Sequence, residues 1–142
     1  YHAMALDETR LLFPLTRLSG SGPTTGVVLQ EVWFRGVHSD VGGGNNNPTL
    51  NGLALNWLFQ NAKRCGLPIR ESDVLANLAS IQKPGKLSTH KIDLEVKRGI
   101  RDTDLLHSSV VIEAGERFNN PRAELSRIDD VGTITKPVAG VG

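Results

Sequence analysis

At 142 residues the chain is sized for one domain and can bury a core, and 39% hydrophobic residues with a mean hydropathy of −0.19 describe a globular composition. A net charge of +1 gives no global field that would recruit nucleic acid or a membrane surface, and no apolar run approaches the ~18 residues of a membrane span. The single cysteine, Cys65, excludes an internal disulfide, and no secretory signal is visible.

The chain opens Tyr1-His2-Ala3 and its only methionine is Met4, so residue 1 is expected to be cut from something longer. Residues 1–6 are helix-prone, with Ala3, Met4, Ala5 and Leu6 as good formers and no β-branched residue. Asp7-Glu8 interrupts the apolar run, Leu11-Leu12-Phe13 follows, and Pro14 closes the segment. Residues 15–26 read as a loop with Ser19-Gly20-Ser21-Gly22-Pro23 as its flexible centre.

Residues 27–34 are predicted as a strand. Val27, Val28, Leu29, Val32, Trp33 and Phe34 leave only Gln30 and Glu31 polar, a run suited to a parallel strand covered on both faces. Next comes Arg35-Gly36-Val37-His38-Ser39-Asp40-Val41-Gly42-Gly43-Gly44, a polar, Gly-rich loop, and then a helix over 48–65. Asn47 is placed as its N-cap and Pro48 at its first position. Leu50, Leu53, Ala54, Trp57, Leu58, Ala62 and Cys65 repeat at three- and four-residue spacing as one buried stripe, with Cys65 as a small hydrophobe. Gly66 suits a left-handed C′ position and Pro68 lies just beyond.

A second helix is predicted within 68–80, capped by Ser72, with Val74, Leu75, Leu78 and Ile81 as its stripe. Lys83-Pro84-Gly85-Lys86 is a turn. Ile92, Leu94 and Val96 alternate with charged residues, the period of a half-exposed strand. Residues 105–112 fit either a short helix capped by Ser108 or a strand, and Phe118-Asn119-Asn120-Pro121 reads as a turn. From Arg127 the chain turns polar, then Gly- and Pro-punctuated, with a frayed end at Gly140-Val141-Gly142.

A strand followed by a polar loop and a helix is how open α/β sheets build sites at the carboxyl ends of their strands, so the His38 loop is the first place to look for chemistry. His38 is placed for general acid–base work with Asp40 able to orient its ring; equally, it could merely hydrogen-bond the loop. Gly42-Gly43-Gly44 could cradle an anion with backbone N–H groups, or could supply a turn that needs positive φ. Neither G-x-x-x-x-G-K-[ST] nor G-x-G-x-x-G is present, so no nucleotide cofactor is expected. Ser39 neighbours His38, but no G-x-S-x-G occurs anywhere, so the strained nucleophile elbow is absent; Ser21 reads as a linker serine. His2, His38, His90 and His107 lack metal-ligand spacing and one cysteine builds no zinc site, so no metal is expected. Trp33, Phe34, Trp57 and Phe59 read as core rather than as a base-stacking surface, and no nucleic-acid partner is expected.

Three blocks carry a resemblance: Tyr1-His2-Ala3-Met4-Ala5-Leu6-Asp7-Glu8, Glu31-Val32-Trp33-Phe34-Arg35-Gly36-Val37-His38-Ser39-Asp40-Val41-Gly42-Gly43-Gly44, and Leu53-Ala54-Leu55-Asn56-Trp57-Leu58. Together they resemble the C-terminal half of an α/β-hydrolase family, long labelled a domain of unknown function, that includes type VI secretion phospholipase effectors. Leu106-His107-Ser108-Ser109-Val110 and Arg117-Phe118-Asn119-Asn120-Pro121 resemble the tail of that family more loosely. The resemblance implies a short, mostly parallel α/β sheet with flanking helices, the late half of such a hydrolase, over residues 1–126, with 127–142 as a flexible tail. It implies that His38 is the triad histidine, able to take a serine proton and return it to the leaving alcohol. The acid lies upstream of Tyr1 or is Asp40 or Asp7, with Asp40 favoured as a supporting residue; Ser39, Gly42, Gly43 and Gly44 are the ligand-binding candidates. Asn45-Asn46-Asn47 departs from the family, which has an aromatic or acidic loop there.

A histidine without its serine gives no acyl-enzyme chemistry. The expectation is therefore a lipase- or phospholipase-like portion that acts on lipid or ester only in the intact parent and is inactive alone. A missing N-terminal segment, a partner chain or a homodimer is expected to cover the open sheet edge. The competing expectation is a non-enzymatic binding or oligomerisation module that keeps the half-fold.

Overall fold

The computed structural model describes residues 1–18, 25–81, 96–112 and 118–136. Five strands form one sheet in the order β1 (His2–Ala5), β2 (Glu31–Phe34), β3 (Leu105–His107), β4 (Arg127–Ile128) and β5 (Ile134–Thr135). The first four are parallel and β5 is antiparallel to β4. Helices α1 (His38–Gly42), α2 (Pro48–Arg64) and α3 (Glu71–Ile81) lie between β2 and β3. This is the α/β class expected from the sequence.

Strand β2 shows why the sheet is apolar on both sides. Successive side chains alternate between faces. Val32 and Phe34 point to one face, packing with Ala54 and Trp57 of α2 and with Ile128. Trp33 points to the other, packing with Met4, Leu6, Leu106, Val110 and Leu125. The indole N–H of Trp33 donates to Asp104 (2.8 Å), whose carboxylate also receives both terminal nitrogens of Arg17. Burial alone would raise the pKa of Asp104, but these donors and the Arg101 backbone N–H hold it below the usual range.

Three local expectations are corrected. Residues 1–6 are not a helix: His2 to Ala5 pair in register with Glu31 to Phe34. Helix propensity differs by only tenths of a kcal/mol per residue, so a place beside a buried strand decides the conformation. Strand β2 begins at Glu31 rather than Val27; the ladder opens at His2↔Glu31, and Val27 and Val28 stand exposed, with no strand beside them among the described residues. The polar segment from Arg127 is no bare tail over its first ten residues, since it adds β4 and β5 to the sheet.

The α2 boundaries agree with the sequence. Asn47 accepts from the Leu50 N–H, Pro48 opens the helix, and Gly66 takes φ 82 just past its end. Cys65, however, is exposed and not part of the buried stripe. Helix α3 packs on α2 where Gly52 leaves room: a Cβ there would lie 2.7 Å from Ile81 Cγ1. Being an outer layer, α3 buries only Val74 of its expected stripe, and Ser72 sits inside its first turn rather than capping it. Residues 105–107 are strand, which settles that ambiguity. Phe118 and Asn119 of the expected turn are buried. The Ser19–Pro23 loop centre, the Lys83–Lys86 turn, the alternation at Ile92 and Leu94, and the frayed end at 140–142 lie outside the described residues.

Candidate functional site

The site grows from the carboxyl ends of two adjacent parallel strands. Beyond β1 the chain turns at Leu6-Asp7, where Leu6 N–H donates to Phe34 O and Asp7 N–H to Gly36 O. Asp7 and Glu8 leave this turn toward different partners.

Asp7 turns to the structural side. It accepts from the Gly36 N–H (2.8 Å), from Arg35 Nη1 (2.8 Å) and from the Asn119 N–H (3.2 Å). Arg35, only 5% exposed, also donates to Val111 O and Asn120 Oδ1, and Asn119 Nδ2 donates to Leu6 O and Arg98 O. One ion pair thus fastens the 118–120 segment to the ends of β1 and β2.

Glu8 turns to His38. The carboxylate is 1% exposed, and its Oε2 lies 2.5 Å from His38 Nδ1. Arg10 grips the same carboxylate twice, from Nε (2.8 Å) and Nη2 (2.7 Å), and adds its backbone N–H. Arg10 Nη2 also lies 2.8 Å from His38 Nδ1. A guanidinium only donates and an ionised carboxylate only accepts, so Nδ1 meets one of them at a time: protonated it donates to Glu8, unprotonated it accepts from Arg10 Nη2. With the proton on Nδ1, Nε2 carries the lone pair, the tautomer a general base requires. Burial by itself would raise the pKa of Glu8; the hydrogen bonds from Arg10, then those from His38, outweigh it and hold the group ionised far below the usual carboxylate range. Phe13 stacks on the imidazole with ring centroids 4.6 Å apart, and Arg10 lies over the other part of that assembly, 4.2 Å from the Phe13 centroid. The His38 side chain remains 41% exposed.

The His38 loop is held from within. His38–Gly42 forms the short helix α1 rather than an open loop. Asp40, fully buried, accepts from the Val37 N–H (3.0 Å) and from Asn45 Nδ2 (2.9 Å), so its oxygens tie the turn together. Gly36 takes φ +105, and a Cβ on it would lie 2.6 Å from Asp40 Cβ. Gly43 takes φ 91 and ends α1; its N–H, with those of Gly44 and Asn45, donates to Ser39 O. Those three N–H groups are thereby occupied, so Gly43 and Gly44 shape a turn after Gly42, the last residue of α1, and Ser39 contributes its carbonyl to it.

Of the expected acids, then, Asp40 braces the loop and Asp7 braces the strand ends, while the carboxylate on the imidazole is Glu8, which sequence reasoning passed over together with Arg10. No local signal in the sequence separates Glu8 from Asp7, because the two leave the turn after β1 toward different partners. A second histidine, His107, sits between Ser109 Oγ (2.7 Å from Nδ1) and Asp130 Oδ1 (3.2 Å from Nε2), but it is 2% exposed and stacked beneath Phe34. Both ring nitrogens are engaged there, so the trio joins β3 to the segment after β4.

Two concavities adjoin His38. A groove of about 500 Å³ runs from Tyr1 and Ala3 past Leu15 and Leu58 to His38 and Arg98. A cavity of about 290 Å³ lies beside it, lined by Glu8, Arg10, Phe13 and Arg98 among others. Among the described residues no group of three or more His, Cys, Asp or Glu side chains could hold a metal ion, and no helix is long and apolar enough to cross a membrane.

No curated protein and no solved structure matches the chain. Residues 1–61, which contain β1, the Glu8–His38 pair and most of α2, match the family model described as the T6SS phospholipase effector Tle1-like catalytic domain, the same family the sequence blocks resemble.

Proposed function

We propose that this chain carries the histidine-bearing part of an ester- or phospholipid-hydrolysing site, in which His38 Nε2 is the general base and Glu8 orients the imidazole. The observation that carries the reading is the 2.5 Å contact between Glu8 Oε2 and His38 Nδ1 at the ends of neighbouring parallel strands. In the reaction, His38 would take the proton of a serine hydroxyl as that oxygen attacks the acyl carbon, then give it to the leaving alcohol. Glu8 would stay ionised and stabilise the imidazolium formed between the two steps. Asp40 and Asp7 act at one remove, by fixing the turn and the strand ends. The match of residues 1–61 to a phospholipase family supports a lipid ester as substrate of the intact protein.

The chain lacks G-x-S-x-G, and the reading holds that it is inactive by itself. Strand β1 stands at the end of the strand order among the described residues, which supports a serine-bearing segment or chain pairing along its outer edge. The same edge favours one alternative, a non-enzymatic module that binds a second copy there.

The test has two parts. The chain alone is assayed on p-nitrophenyl esters and phospholipid vesicles beside His38→Ala, with no turnover expected from either. The chain then replaces the corresponding region of an active Tle1-like phospholipase. Activity in that chimera that falls by about a thousandfold or more in His38→Ala supports the reading. A folded chimera whose turnover ignores His38→Ala would sink it, and dimerisation of the chain by light scattering with no active chimera would favour the binding module.

A further inference from the structure

Among the described residues, the cavity beside His38 is lined by more cations than anions: Arg10, Arg17, Lys97, Arg98 and Arg101 against the carboxylate of Glu8. Arg10 is paired with Glu8, and Arg17 with Glu31 and Asp104; Arg101 has interactions of its own and is not counted toward the site. Arg98 is different. Its Nη1 donates to Ala5 O (2.8 Å), its Nη2 donates to Phe13 O (3.0 Å), and its Nε is buried with no hydrogen-bond partner. Both acceptors are neutral carbonyls. Lys97 Nζ likewise donates to a carbonyl, Phe118 O (3.1 Å). Burial lowers the pKa of Arg98, and the charge of Glu8 offsets this only in part. Glu8 itself already receives Arg10 and His38, so its oxygens are engaged by those two groups.

A guanidinium fixed by two carbonyls is oriented before any ligand arrives, and planar donors of this kind suit the oxygens of a phosphate. Arg98 also lines the neighbouring groove that reaches His38, so it stands between the two concavities. The groove is lined by Ala3, Leu15 and Leu58, an apolar wall for an acyl chain; the cavity is cationic. An amphiphile with its ester at His38 would bring its phosphate to Arg98.

We infer that the Arg98 cavity is an anion site that takes the phosphodiester of a lipid headgroup and so sets where the ester lies relative to His38. This rests on the proposed function for its substrate class and adds the residue that recognises the headgroup. Arg98 and Lys97 supply the attraction, and Glu8 is kept out of the way by its own pairs with Arg10 and His38.

The test is calorimetric titration of the intact chain with glycerophosphocholine, which carries the phosphodiester and no acyl ester, and separately with inorganic phosphate. Because neither probe can be hydrolysed at an acyl group, the result does not depend on whether His38 supports turnover. The chain is expected to bind glycerophosphocholine at least as tightly as inorganic phosphate. Arg98→Gln should weaken that binding by about tenfold or more, the loss of one charge-assisted contact, while Arg98→Lys should lose less. Should Arg98→Gln fail to fold for want of its bonds to Ala5 O and Phe13 O, the exposed Lys97→Gln decides, with a loss of about threefold expected. Full affinity in these folded variants, or no binding of glycerophosphocholine by the parent chain, would overturn the inference. Tighter binding of inorganic phosphate than of the diester would overturn the headgroup assignment and leave an adventitious anion only.

Discussion

Replacing Glu8 by glutamine changes one charge and almost no volume, at the group on which the whole site converges. The carboxylate is 1% exposed and receives the Arg10 backbone N–H, Nε and Nη2, and His38 Nδ1. An amide keeps one acceptor oxygen but turns an N–H₂ toward donors. Breaking a fully buried pair by removing one partner costs about 3–5 kcal/mol. Here the Arg10 side chain keeps 19% of its surface in water, so about 2–3 kcal/mol is the expected loss at pH 7. For a domain of this size that is a fall in Tm of about 6 to 12 °C. The pH dependence sharpens the test. Glu8 titrates in the folded chain far below its ordinary 4.5, so its stabilisation is complete above that value and is lost as pH falls toward the folded one. Each pH unit below about 4.5 removes about 1.4 kcal/mol, so most of the gap between parent and Glu8→Gln should close near pH 3. Other carboxylates with lowered values, such as Asp104, are present in both proteins and cancel. The assay is thermal unfolding by circular dichroism from pH 7 to pH 3. Equal Tm values at pH 7, or a gap that persists undiminished at pH 3, would refute the ion-pair account of the site.

Three further outcomes test the frame that holds the site. Gly36→Ala meets φ +105 and places its Cβ 2.6 Å from Asp40 Cβ, so urea unfolding should show a loss of about 2–4 kcal/mol and a displaced His38 loop by NMR. Asn47→Ala removes the side chain that accepts from the Leu50 N–H; chemical denaturation should register about 1 kcal/mol, with an unchanged m-value. Arg35→Lys keeps the charge but cannot reach Asp7, Val111 O and Asn120 together, so a loss of about 2–3 kcal/mol is expected, together with faster amide exchange in 118–120. A neutral result for Arg35→Lys would mean that the 118–120 segment is held by something other than the Asp7–Arg35 pair.

What could be read from the sequence was what short stretches of chain decide for themselves. The α2 start at Asn47-Pro48 and its end at Gly66 are written in capping chemistry within a few residues, and the structure keeps them. So is the position of His38, which follows from a hydrophobic strand ending at Gly36. What could not be read depends on pairing across distance. Strand β1 exists because His2 to Ala5 meet Glu31 to Phe34, 29 residues away in the chain by the His2↔Glu31 register, and nothing in Ala3-Met4-Ala5-Leu6 announces it. The burial of Cys65 was misjudged for a related reason: periodicity gives the direction of a stripe, but the place where α2 runs past its neighbours is a tertiary fact.

Which carboxylate meets His38 also depends on that strand. If residues 1–6 were helical, Asp7 and Glu8 would lie about 100° apart on a helix, and neither would be favoured for the site. In the structure they come at and just after a turn, Leu6-Asp7, and the way the chain leaves β1 decides which one meets His38. With Leu6 bonded to Phe34 O and Asp7 to Gly36 O, Asp7 is carried to Arg35 and Glu8 to Arg10 and His38. The pairing His2↔Glu31 therefore bears on chemistry as well as on fold, because it places the turn that brings Glu8 to 2.5 Å from the ring nitrogen. It also explains why Arg10 went unnoticed: two residues beyond Glu8, it folds back on the same carboxylate and becomes part of the site only once the strand has set that direction.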